Sequence, residues 1–270
     1  MADADQMRSF EYPWKNTDDE IVANLALGSL RESLLMWLKT ERGVHAETLL
    51  VSIGALAGFA AQTAALERAR RREIPLAPGS DVTISNEDLS KHLRKSGLLL
   101  NLTTKSGEVL HLGDLLNGYL VPQATSEAYT LWGLAAAAAI GVGVQPAELP
   151  DYHAMFQHVV ESMDTPEFGI AQVAKEHRPH ITPRQALDIF WPRAKYILTR
   201  TDGPGPAQGC NVPLRYWPPV IDVVAAQLVI QTKDVLDPRV GLALLMESAI
   251  AMSKVDAKTV PQTAPPPVSA

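Results

Sequence analysis

The chain has 270 residues, 46% of them hydrophobic, with 30 acidic against 24 basic side chains and a net charge of −6. So apolar a composition with so modest a charge excludes a largely disordered chain, and a single cysteine excludes a disulfide scaffold, a zinc ribbon and an iron–sulfur framework. A pI near 5.6 argues against a dedicated nucleic-acid binder, which needs a basic surface.

The opening MADADQ is acidic and polar, without the positive start and apolar run of a secretory signal. The expectation is a soluble, cytoplasmic protein. Phe10, Tyr12 and Trp14 alternate with polar residues, so an extended arm turns all three aromatics to one face. That face packs on its own domain or clasps a partner subunit. Asn16, Thr17 and Asp18 are N-cap types, and Asp19 and Glu20 suit the positive end of a first helix. Ala23, Leu27, Leu30, Leu34, Trp37 and Leu38 form one apolar stripe. Ile21, Leu25 and Met36 lie opposite, so this helix is expected to be covered on more than one face, and Gly43 ends it.

A second helix is expected from His45 to Arg72, on the order of 40 Å long. Gly54 and Gly58, like Ala57 and Ala61, are four apart, leaving a groove into which another helix backbone can press. The basic run at Arg68–Arg72 reads as a solvated last turn facing the negative helix end, with an anion or nucleic-acid patch as the alternative. Two runs, LLVSIGALAGFAA at 49–61 and WGLAAAAAIGVGV at 132–144, are 13 residues each, short of the roughly 18–20 a membrane helix needs. Both are read as buried helices with no membrane partner.

Residues 74–80 hold two prolines and a glycine and read as a loop. Val82 and Ile84 suggest a short strand, and Ser85 or Asn86 caps a short helix to Lys95. Apolar runs at 97–104 and 108–112 flank Lys105-Ser106-Gly107, the pattern of an antiparallel β-hairpin over 97–112. A helical turn then runs from Leu115 to Val121.

Thr125 or Ser126 caps a helix through Ile140, which Gly141, Gly143 and Pro146 break. Helices follow at Asp151–Met163, from Thr165-Pro166 to about Glu176, and from Thr182-Pro183, proline just inside a start being the expected asymmetry. Residues 201–213 form a long irregular loop. Pro218-Pro219 opens a helix to Thr232 and Asp237-Pro238 another to Lys254, the last apolar on two sides. The fold expected is mainly α and bundle-like, with a small antiparallel hairpin near 97–112. A flexible arm (1–12) precedes one compact domain (13–254), with possible lobes at 13–122 and 123–254. A disordered Pro-rich tail (255–270) follows.

Candidate chemistry is sparse. His153, His158 and Glu161 share a helix, but the two histidines point about 140° apart, and no HExxH or repeated ExxH pattern is present. Glu176-His177-Arg178-Pro179-His180 is the densest polar cluster, where a short loop could aim both imidazoles into a cleft. Cys210 follows every histidine in the chain, so only a reversed Cys–His order is open to it. Residues 202–205 lack the phosphate-cradle pattern. Asp222 reads as a first-turn carboxylate favoured by the helix end, with a truly buried acid of raised pKa as the alternative, and Arg215-Tyr216-Trp217 as packing or as a clamp on a planar ligand or partner surface. No cofactor or metal is expected.

Two functional readings follow. The first is association, as a homo-oligomer or adaptor, resting on the two-sided apolar helices, the small-residue groove and the aromatic arm. The alternative is an enzyme or small-ligand binder with a polar site at His177, Arg178, His180 and Arg215 beside the 201–213 loop.

Overall fold

Seven α-helices carry the described residues of the computed structural model, which are 12–71, 82–83, 101–104, 109–111, 116, 119–120, 129–163, 165–200 and 211–263. They are α1 (Glu20–Leu38), α2 (Ala46–Arg70), α3 (Leu131–Gly141), α4 (Tyr152–Glu161), α5 (Pro183–Thr199), α6 (Trp217–Thr232) and α7 (Pro238–Met252).

Several starts are set by local side chains. The Asp151 carboxylate accepts from the His153 N–H and that of Asp237 from the Arg239 N–H, both at 2.9 Å. Thr182 and Gln185 cap each other's backbone N–H groups around Pro183. Each such cap satisfies an otherwise orphan donor, worth about 1 kcal/mol.

Other boundaries differ from the sequence pattern. α3 begins after Thr130, whose hydroxyl accepts from the Gly133 N–H at 3.1 Å, rather than after Thr125 or Ser126. α1 stops at Leu38, ahead of Gly43, which at φ +102° closes the small turn back to Thr40. The helix expected over 165–176 does not form. Its path breaks at Gly169, held at φ +79°, and only a single 3₁₀ turn, Lys175–His177, follows.

The core is organised around α2, which packs most extensively on α7, then on α6 and α5. The expected small-residue groove is occupied by the backbone of α7. A Cβ at Gly54 would lie 2.3 Å from the Leu245 carbonyl oxygen, and one at Gly58 1.9 Å from that of Ala249. Further along, the buried Gln62 amide donates to the carbonyls of Ser253 and Val255, both at 2.8 Å. The aromatic ring of Phe59 meets Trp191 of α5 edge-on at 4.6 Å.

Packing continues past residue 254, where the compact domain was expected to end. Val255 and Val260 are buried, and the Arg184 guanidinium donates to the Thr259 carbonyl at 2.7 Å. At the other end Trp14 is fully buried, donates to Asn24 at 2.9 Å and stacks on Tyr12 at 5.0 Å. Those two aromatics therefore pack on their own domain, in a run of turns rather than an extended strand; Phe10 lies outside the described residues.

The hairpin expected over 97–112 is not established by the described residues. The backbone of Asn101–Thr104 runs antiparallel to Val109–His111 and to Val82–Thr83. The turn at 105–108 and the flanks at 97–100 and 112 lie outside the described set, as do the expected short helix to Lys95 and the 74–80 loop. The architecture is mainly α.

Both α1 and α2 are long and apolar enough to cross a bilayer by length and composition. The apolar window is 94% buried within the molecule in α2 and 22% in α1.

Candidate functional site

The polar cluster at 176–180 meets the N-terminus of α2. His45 is the N-cap residue of that helix. Its Nδ1 accepts from the Thr48 N–H at 3.4 Å and lies 2.9 Å from Thr48 Oγ1. Thr48 Oγ1 itself accepts from the His180 N–H at 2.9 Å, so its own proton goes to His45 Nδ1. The His45 proton is thereby placed on Nε2, 3.3 Å from Glu47 Oε2. The other Glu47 oxygen accepts from His177 Nδ1 at 3.1 Å. The rings of His45 and His180 stack at 3.8 Å. Burial, followed by the neighbouring His180, lowers the His45 pKa against the opposing pull of Glu47. Glu47 and Thr48 are buried.

The result is a clasp that fixes the 170–182 segment to the start of α2. Among the described residues no group of three or more His, Cys, Asp or Glu side chains is arranged to hold a metal ion. Arg178 is exposed; its backbone N–H donates to the Lys175 carbonyl, and its side chain makes no hydrogen bond or ion pair among the described residues.

Arg215 does not join this cluster. It sits in the 3₁₀ turn Leu214–Tyr216 ahead of α6, donates to Asp19 at 2.8 Å and lies over the Tyr216 ring. It lines a cavity together with Glu67, Arg68 and Arg71 near the C-terminal end of α2. Glu47 and Glu67 are separated by about 30 Å of helix, so His177 and His180 share no site with Arg215. Residues 201–210, with Cys210 and the 202–205 loop, lie outside the described residues.

The cavity has a volume of about 740 Å³. Its wall includes Phe59, Trp191 and Trp217, with Trp217 held by its indole N–H donating to the Val212 carbonyl at 2.8 Å. Of the expected basic run, Arg71 pairs with Glu67 at 2.7 Å, and Arg68 lies 5.8 Å from the Tyr119 ring centre.

Two further acids lie inside the molecule. His158 of α4 makes a short hydrogen bond through Nδ1 to Glu247 on α7. The second Glu247 oxygen accepts from the Gln172 N–H at 3.1 Å. Glu247 is 2% exposed, and burial raises its pKa although both partners oppose the shift. Asp222 is not a first-turn carboxylate. It lies one turn further into α6, 2% exposed, with Oδ2 unpartnered, and burial pushes its pKa well above the ordinary value. A carboxylate that cannot be solvated or paired keeps its proton.

Sequence reasoning missed His45, Glu47 and Glu247. A His-x-Glu-Thr run at a helix start was a visible signal for the first two, and a lone acid within the apolar run of α7 for the third.

No family model, curated protein or solved structure matches the chain.

Proposed function

We propose that the chain works by association with a second copy of itself across the outward face of α1. The observation that carries this is the exposure of Ile21 (68%), Met36 (66%) and Leu25 (38%) on one helix. At 100° per residue these three fall within about 60° of one another, on the side opposite Leu30.

The stripe is nearly symmetrical about Gly28–Ser29. Antiparallel pairing sets Ile21 of one copy against Met36 of the other at both ends, the self-complementary arrangement a two-fold dimer needs. Gly28 lies at the middle, where an added Cβ would meet nothing within 4 Å, so a second helix can approach closely. Glu32 is the one charge in the stripe. Sedimentation equilibrium across micromolar concentration tests the proposal: a monomer–dimer equilibrium is expected, and a monomer throughout sinks it.

A second reading, small-ligand binding, is favoured by the cavity beside Arg68 and Arg215 rather than by His177 and His180. We place the protein in the cytoplasm, with neither membrane nor nucleic acid as partner. Flotation with phosphatidylglycerol vesicles checks the first exclusion, since α1 could equally bury its face in lipid. A hairpin over 97–112 belongs to the proposal as well, and cross-strand amide contacts by NMR test it.

A further inference from the structure

We propose that the cavity at the C-terminal half of α2 binds an organic anion: a flat apolar body bearing a carboxylate, sulfonate or phosphate. This stands apart from the association across α1. The volume of about 740 Å³ falls within the roughly 300–1,000 Å³ of small-molecule sites.

The apolar part of the wall combines Pro213, Leu214 and Ala257 with the largely buried rings of Phe59, Trp191 and Trp217, which make it rigid. Phe59 meets Trp191 edge-on at 4.6 Å, and Trp191 lies 6.0 Å from Trp217. Trp217 is pinned by its bond to Val212. Such faces suit a planar or short-chain body and disfavour a heavily hydrated one.

The charged part of the wall runs against the sign of the whole molecule. Among the described residues, Arg68, Arg71, Lys195, Arg215 and Lys258 line it, with Glu67 as the single carboxylate, in a chain whose net charge is −6. Arg68 and Lys258 make no ion pair among the described residues. The two arginine pairs are largely solvent-exposed, with Arg71 63% and Arg215 66% accessible. Exposed pairs of that kind are worth little, so an incoming oxyanion displaces them readily. Guanidinium forks match the geometry of carboxylate and phosphate, and the aromatic wall lowers the local dielectric that screens them. The polar head of the ligand therefore sits among the arginines, with its body against the apolar wall.

The test titrates the full chain with 8-anilinonaphthalene-1-sulfonate and, separately, with its uncharged analogue N-phenyl-1-naphthylamine. The anion is expected to bind at one saturable site, with energy transfer from tryptophan, and at least about tenfold more tightly than the neutral probe. The double variant Arg68→Ala/Lys258→Ala changes only surface groups; with its fold checked by circular dichroism, it should lose about tenfold in affinity for the anion. Met36→Glu on α1 should leave the titration unchanged. Equal affinity for the two probes, or wild-type affinity in the double variant, overturns the proposal. So does loss of the signal in Met36→Glu alone, which would place the probe on α1.

Discussion

α1 and α2 are both apolar enough by length and composition to cross a membrane, yet they stand in opposite environments. The apolar window of α2 is 94% buried and that of α1 22%. The difference lies in how each helix meets its neighbours. α2 has glycines where α7 crosses it, so two backbones approach to a distance that any side chain would forbid. α1 turns Ala23, Ala26, Leu30 and Leu34 inward and leaves Ile21 and Met36 in water. Hydrophobicity alone does not separate a core helix from one with an exposed face. The position of small residues relative to a neighbouring backbone does.

The largest expected effect comes from filling the α2–α7 crossing. Gly58→Ala places a methyl group against the Ala249 carbonyl and should cost about 3 kcal/mol or more, read as the shift in urea midpoint at unchanged slope. A cost under about 1 kcal/mol would mean that the two helices can part without penalty.

Next is the acid that ties α7 to α4. Glu247→Ala strands His158 and the Gln172 N–H and should cost about 2 kcal/mol. Equilibrium unfolding at neutral pH measures it, and wild-type stability would show that the pair contributes nothing.

Asp222 gives a smaller effect with a definite pH dependence. Its folded pKa lies above the ordinary 3.8, so the folded chain holds a proton that the unfolded chain releases. Stability is therefore fully present below about pH 4 and falls as pH rises towards the folded value. Asp222→Asn removes that slope and should be more stable than wild type at pH 7, with no advantage near pH 4. A variant whose stability runs parallel to wild type from pH 4 to 7 would contradict the burial argument.

The smallest effect lies on α1. Gly28→Ala meets no neighbour in the single chain and should stabilise it by about 0.5–1 kcal/mol, measured at nanomolar concentration. Destabilisation there would mean that the outer face of α1 is already covered within one copy.

Much of the helical frame was legible because it depends on neighbours in sequence. Thr182-Pro183, Asp151 and Asp237-Pro238 begin helices through their own hydroxyl or carboxylate groups. Gly54 and Gly58 announced a close crossing, though not with which helix. The helix expected after Thr165 failed because the left-handed backbone at Gly169 outweighed a proline start. The polar sites were far less legible. Glu47 meets His177 across 130 positions, and Glu247 meets His158 across 89, and no local pattern encodes such pairings. Asp222 looked like a first-turn acid until the packing of α6 against α2 and α3 enclosed it. The cavity draws on α2, α5 and the turn before α6 together, so neither its aromatic wall nor its cationic rim could be seen along the chain.

The central claim is that the outer face of α1 pairs two copies. Sedimentation velocity on wild type and on Met36→Glu, over the same micromolar range, tests it most directly. Met36 is 66% exposed, so the substitution should change the stability of the single chain by less than about 0.5 kcal/mol. The account predicts a concentration-dependent dimer for wild type and a folded monomer for the variant. Wild type and variant sedimenting alike, as monomers or as the same oligomer, would contradict it.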